Sequence, residues 1–176
     1  MLEMELKARL NNKVQMLERL SEQGCRWSVS SVQDDVIYIK SDMAQHLNTP
    51  VFRIRKIDDK TILTLKIQAV DLNTAKELEL EVSDDKIMHQ ILQTIGFEAK
   101  VEVKKRRTET EYKGYTICID EVERLGDFVE IEKIGTEESD SEKEYAEMMR
   151  ILETLGIRTE DLVTEKYFEM IQKLER

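Results

Sequence analysis

Carboxylates and cations recur at every second position in several short motifs. These are Glu3-x-Glu5-x-Lys7, Arg53-x-Arg55, Glu79-x-Glu81, Lys105-x-Arg107 and Glu130-x-Glu132, with Lys66 on the stretch returning from Arg55. In an extended segment successive side chains point to opposite faces, so each pair shares one face. For Glu3-x-Glu5-x-Lys7 alone, a strand with one face in the core and the other in water is the better explanation. The set as a whole reads differently. A sheet face that only meets water mixes its signs, because like charges at neighbouring positions cost stability. Here the faces are sorted by sign. Paired carboxylates tolerate each other when a cation sits between them, and Mg2+ or Mn2+ accepts such oxygen ligands. Arg grips phosphate oxygens through its planar fork and Lys as a point charge. If these faces line one cavity, they form the two halves of a metal–polyphosphate site.

Strands must hold these pairs, and the chain supplies them. After the first strand, Val14, Leu17 and Leu20 fall at helical spacing, with Asn11 or Asn12 able to cap and Gly24 closing the end. Residues 26–40 read as one or two strands, and 41–50 as a loop. Phe52 and Ile54 oppose Arg53 and Arg55, a turn is expected at Asp58-Asp59-Lys60, and the returning strand carries Ile62, Thr64 and Lys66 on one face. After a loop around residues 71–73, Glu77, Glu79 and Glu81 alternate with Leu78, Leu80 and Val82. A helix follows, capped by Ser83 and ended by Gly96, with Ile87, Ile91, Leu92 and Ile95 expected to face the core. Strands over 98–111, 115–120 and 125–134 come next. Two C-terminal helical patterns close the chain, the first capped at Ser139 or Ser141. Together these predict a single α+β domain over residues 1–176 with about eight antiparallel strands.

Composition narrows the function. Apolar residues make up 40% and charged residues 36% of the 176 residues, and 37 acidic against 27 basic residues give a net charge of −10. That balance argues against nucleic-acid or anionic-membrane binding. No apolar run is long enough to span a bilayer, and the amino terminus lacks a secretory signal. Cys25 and Cys118 fit no metal spacing, which predicts a reduced, cytoplasmic protein. His46 and His89 stand alone and read as surface residues. Glycine-rich phosphate loops, nucleophile elbows and zinc patterns are absent from the sequence.

In this order the motifs resemble the CYTH superfamily, the triphosphate tunnel metalloenzymes. Glu3-x-Glu5-x-Lys7 matches its ExExK signature, Arg53-x-Arg55 its RxR strand, and Leu63-Thr64-Leu65-Lys66 its LTxK strand. Glu79-x-Glu81 matches the acidic strand and Lys105-x-Arg107 the KxR strand. Residues 117–120 followed by Leu125-Gly126-Asp127-Phe128-Val129-Glu130-Ile131-Glu132 look most like the class IV adenylyl cyclase branch. The chain departs from the pattern at Ile37 and Tyr38, at Lys76 and at Thr110.

The resemblance implies an eight-stranded antiparallel barrel, a tunnel with a charged interior and flanking helices. It implies Lys7, Arg53, Arg55, Lys66, Lys105 and Arg107 as triphosphate-binding residues. Glu3, Glu5, Asp120, Glu130 and Glu132 would hold Mg2+ or Mn2+, Asp120 as ligand or orienting carboxylate, with Glu79 and Glu81 as further candidates. Lys7, Asp120 and Glu132 would act at the reacting atoms. The implied substrate is ATP or another triphosphate, converted to cyclic AMP and pyrophosphate by a cyclase. Alternatively a triphosphatase would hydrolyse inorganic triphosphate, thiamine triphosphate or a nucleoside triphosphate. A polyphosphate-binding module without turnover is the third reading. The resemblance also suggests a homodimer. The helix over 139–156 could supply an interface, although its stripe of Met148, Ile151 and Leu155 is equally well explained as core. Tyr167, in a pattern resembling the family's closing helix, reads as packing rather than chemistry.

Overall fold

Strands that alternate apolar and charged residues have two unlike faces, and curling the sheet decides which face is enclosed. The computed structural model describes residues 2–40, 50–68, 74–136 and 139–175. The expected loops at 41–49 and 71–73, and His46, lie outside the described residues. Among the described residues run β1 (Leu2–Arg9), α1 (Lys13–Glu22), β2 (Ser31–Lys40), β3 (Pro50–Ile57), β4 (Lys60–Gln68) and β5 (Thr74–Glu81). They are followed by α2 (Asp85–Thr94), β6 (Phe97–Tyr112), β7 (Tyr115–Val122), β8 (Gly126–Gly135), α3 (Ser141–Thr154) and α4 (Tyr167–Leu174). The strands close into an antiparallel barrel in the order β1-β5-β4-β3-β2-β6-β7-β8, with β8 pairing back onto β1. The fold expected from the sequence is therefore the one observed.

The charged faces turn inward and the apolar faces outward, so the hydrophobic core lies outside the barrel wall. The largest cluster joins Leu6, Ile117, Val129 and Ile131 to Met16 and Leu20 of α1 and to Met148, Ile151 and Leu152 of α3. Each such residue, fully buried, contributes about 1.5–3 kcal/mol. The stripe on α3 is thereby core. A second cluster holds α4 through Tyr167, Phe168, Met170 and Ile171 against Ile37, Val103 and Phe128. A third lies under α2, around Tyr38, Ile54, Leu63, Leu92 and Phe97.

The local details differ from expectation in four places. Asp84, not Ser83, caps α2 by accepting from the Ile87 N–H at 3.0 Å, and Asp140, not a serine, caps α3 at 3.1 Å from the Lys143 N–H. In both cases the capping side chain stands immediately before the first helical residue, where the free N–H groups are within reach. Of the α2 stripe only Leu92 is buried. A short helix lying on a convex wall touches it along one narrow line, and Ile87, Ile91 and Ile95 fall to the side of that line. His89 is half-buried and shares a hydrogen bond with the Tyr38 hydroxyl. The β3–β4 turn forms where expected, with Asp58 in the left-handed region at φ 52°, a conformation that Asp tolerates better than most residues.

Candidate active site

Register sets the chemistry of the barrel interior. Across the β1–β8 ladder Glu5 faces Glu132 and Lys7 faces Glu130. Across β4–β5, Lys66 faces Glu77; across β2–β3, Asp35 faces Arg55; across β6–β7, Arg107 faces Asp120. These side chains, joined by Arg53, Lys105 and the segment from Val163 to Phe168, surround a cavity of about 290 Å³. Asp120 is the exception, because Lys105 and Arg107 screen it from the cavity.

On one side Glu3, Glu5 and Glu132 bring carboxylate oxygens within 4.8 Å of one another. Burial, with Glu130, Glu3 and Glu5 adding repulsion against the pull of Arg107, pushes Glu132 up to about 7. Burial also raises Glu3, although Lys66 opposes the shift. Three convergent hard oxygen donors that resist being charged together are a donor set suited to Mg2+ or Mn2+. The residues therefore fit a divalent cation. Lys66 borders the cluster, 2.7 Å from both Glu3 and Glu77 and 3.7 Å from Glu5. Those carboxylates hold its ammonium charged even though burial opposes the charge.

On the other side each cation is held by a carboxylate. Arg55 grips Asp35 in bidentate fashion, Nε–Oδ1 2.7 Å and Nη2–Oδ2 2.8 Å. Arg107 does the same to Asp120 at 2.7 Å for both contacts, Lys105 adds a third contact at 2.7 Å, and the Tyr167 hydroxyl donates to Asp120 at 3.1 Å. Asp120 is 0% exposed, and burial raises its pKa less than Lys105 and Arg107 lower it. Glu130 sits between Lys7 at 3.3 Å and Arg107; burial opposes its charge, but Lys7 and Arg107 hold it well below the usual carboxylate range. Arg53 donates to Glu79 at 3.2 Å and to the Thr64 hydroxyl at 3.1 Å. Buried charges are costly unless paired and hydrogen-bonded, and this interior pairs them.

The cation set read from the sequence, Lys7, Arg53, Arg55, Lys66, Lys105 and Arg107, all lines the cavity. The carboxylates expected together at a metal divide. Glu3, Glu5 and Glu132 converge, whereas Glu130 and Asp120 are turned to cations. Glu79 lies at the cavity edge on Arg53, and Glu81 stands outside it, 3.5 Å from Lys60. Sequence reading missed Glu77, which shares the alternation of Glu79 and Glu81 but lies deeper, and Asp35, signalled only by standing two residues after Gln33 on a strand. Tyr167 packs edge-on against Phe128 with ring centroids 5.0 Å apart, yet it also lies under Lys7 at 4.5 Å and reaches Asp120. Lys166, just before α4, lines the cavity too. Among the described residues its ammonium has no carboxylate within 4.0 Å, and burial with nearby Lys66 and Lys7 lowers its pKa. No local pattern marks it, because only the docking of the C-terminal segment brings it there.

A family model for the CYTH domain matches residues 1–167. A Methanocaldococcus jannaschii protein described as a putative adenylate cyclase is 28% identical over 172 residues, covering 97% of this chain and 98% of its own. The solved PH1819 protein of Pyrococcus horikoshii superposes with a TM-score of 0.84 at 26% identity, covering 99% of each chain. A Hippeastrum protein described as a putative adenylyl cyclase with a dominant triphosphatase activity shares the fold. Its TM-score is 0.65 at 17% identity, over 98% of this chain and 95% of its own. No helix among the described residues is long and apolar enough to cross a membrane.

Proposed function

The chain belongs to the CYTH domain family, and from that premise we propose that it is a metal-dependent enzyme of the class IV adenylyl cyclase type, converting ATP to cyclic AMP and pyrophosphate. One observation carries this reading: one cavity has a carboxylate trio on one wall and a paired Arg/Lys set on the other. The likeness to the Methanocaldococcus protein across nearly the whole chain supports the cyclase assignment.

In this reading Arg53, Arg55, Lys66, Lys105 and Arg107 bind the phosphates. Asp35 and Asp120 act through the cations they hold, keeping the guanidinium forks aimed while the substrate enters. Glu3, Glu5 and Glu132 would hold the divalent cation, which when bound neutralises phosphate charge and makes the attacking hydroxyl more acidic. Lys7 draws charge from the phosphate oxygens as bonds change. A carboxylate oxygen of Glu132 accepts the proton of the attacking ribose 3′-hydroxyl. The 3′-oxygen then bonds to the α-phosphorus as the bond to the β-phosphate oxygen breaks, and pyrophosphate leaves.

A second reading, triphosphatase, is favoured by the size of the cavity. About 290 Å³ accommodates three linked phosphates without calling for a nucleoside. Product identification separates the two. ATP and inorganic triphosphate are each incubated with Mg2+, with Mn2+ and with EDTA. Cyclic AMP with pyrophosphate establishes the cyclase, orthophosphate establishes the triphosphatase, and turnover that survives EDTA overturns both.

A further inference from the structure

A second cavity lies outside the barrel, between α3 and the start of β1. It measures about 350 Å³, within the roughly 300–1,000 Å³ of small-molecule sites. Ser141, Tyr145 and Met148 follow one another at i, i+4 and i+7 along α3, so they share the helix face that lines it, and Met4 of β1 forms part of the facing wall. Glu5 and Thr74 line both this cavity and the one inside the barrel. Strand pairing shows where the two spaces adjoin. Among the described residues β5 pairs with β1 only from Leu2 to Met4. The C-terminal segment covers that edge only from Lys7 onward, where the Val163 N–H donates to the Lys7 carbonyl at 2.8 Å. Glu5, a member of the carboxylate trio, stands between these two stretches.

Its lining suits an aromatic base. Tyr145 is 38% exposed, so its ring is accessible for stacking, and Met4 and Met148 add polarisable thioethers that make favourable contacts with aromatic rings. Glu142, in the first turn of α3, brings a carboxylate to the same cavity. An ionised carboxylate only accepts hydrogen bonds, so it favours a base with an exocyclic amino group, such as adenine, and repels one with a carbonyl at that place. The position follows from the cyclase reading, on which this inference rests. With the triphosphate along the cations and the reacting ribose at Glu3, Glu5 and Glu132, the base, bonded directly to the ribose, comes next past Glu5. We propose that the cavity between α3 and β1 is the base subsite, with Tyr145 stacking on the adenine ring and Glu142 accepting from its amino group.

Calorimetry of the full chain with Mg2+ tests the proposal. The probes are α,β-methylene-ATP, whose carbon bridge prevents release of pyrophosphate, and inorganic triphosphate, which reports on the barrel cavity alone. Tyr145→Ala is expected to weaken the nucleotide analogue about tenfold or more and to leave inorganic triphosphate unchanged, while Tyr145→Phe keeps both affinities. The second measurement needs no folded variant: wild type should bind the matching inosine analogue, which has a carbonyl in place of the amino group, several-fold more weakly. Glu142→Ala should erase that difference. A Tyr145→Ala protein that binds the nucleotide as wild type does overturns the proposal. So does equal weakening of both probes, which would make Tyr145 a packing residue, and so does a wild type indifferent to the amino group. Orthophosphate as the sole product from ATP overturns the cyclase reading instead; the affinities are read without turnover and judge the subsite separately.

Discussion

Glu132 keeps a proton in the metal-free tunnel that the unfolded chain would release, because its pKa is raised from 4.5 to about 7. Between those values the folded state binds more protons than the unfolded one, so stability falls as pH rises through the window. Glu132→Gln removes that loss. Thermal melts in EDTA should show the variant more stable than wild type above pH 7 and close to it below 4.5, and Mg2+ should raise its melting temperature less. A wild type that melts higher than the variant above pH 7 in EDTA would contradict the crowding argument. Lys166 offers the complementary test. Among the described residues its ammonium has no carboxylate within 4.0 Å, so Lys166→Gln should leave the melting temperature unchanged. A charge-assisted hydrogen bond to phosphate is worth about 1.5–3 kcal/mol, so the same variant should bind inorganic triphosphate about tenfold or more weakly by calorimetry. Equal affinity would remove Lys166 from the phosphate site.

Helix α4 joins the outer core to the interior, since Phe168, Met170 and Ile171 pack while Tyr167 reaches Asp120. The two parts of Tyr167 can be separated. Tyr167→Phe keeps the ring against Phe128 and under Lys7 and loses the hydrogen bond to ionised Asp120, costing about 1.5–3 kcal/mol in urea unfolding. Tyr167→Ala also loses the ring and should cost about 3–5 kcal/mol. Similar losses for both variants would mean that the hydroxyl, not the packing, docks α4. If Asp120 aims Lys105 and Arg107, Tyr167→Phe should raise KM more than it lowers kcat.

For the molecule as a whole, an interior built of charges makes stability a function of both pH and metal. Asp35, Asp120 and Glu130 have lowered pKa values, because their cations outweigh burial. Their contribution is complete above the ordinary values of 3.8 and 4.5 and is lost as pH falls through the folded values. Glu132 and Glu3 work in the opposite sense on the other side of 4.5. Metal-free protein should therefore be most stable on the acid side of neutrality, and Mg2+ should move that maximum upward. Melting temperature against pH, with Mg2+ and with EDTA, checks both statements. A metal-free maximum above pH 7 would mean that the carboxylate trio is not crowded.

The strands, their alternation and the pairs Glu3/Glu5, Arg53/Arg55, Lys105/Arg107 and Glu130/Glu132 were legible in the sequence, because a period of two assigns side chains to faces without knowing the neighbours. The ordered motifs added the barrel. What sequence could not decide was which charges meet across the enclosed space. Strand order and stagger set Glu3 and Glu5 against Glu132, and they set Asp120 behind Lys105 and Arg107. The first relation joins residues more than a hundred positions apart, and neither leaves a local trace. The same holds for Lys166 and Tyr167, which reach the cavity only because α4 docks against Phe128 and Val103. Helical spacing made Ile87, Ile91 and Ile95 look like core. Only the curvature of the wall beneath α2 decides that they remain in water, since a pattern records what a face can bury and not what stands opposite it.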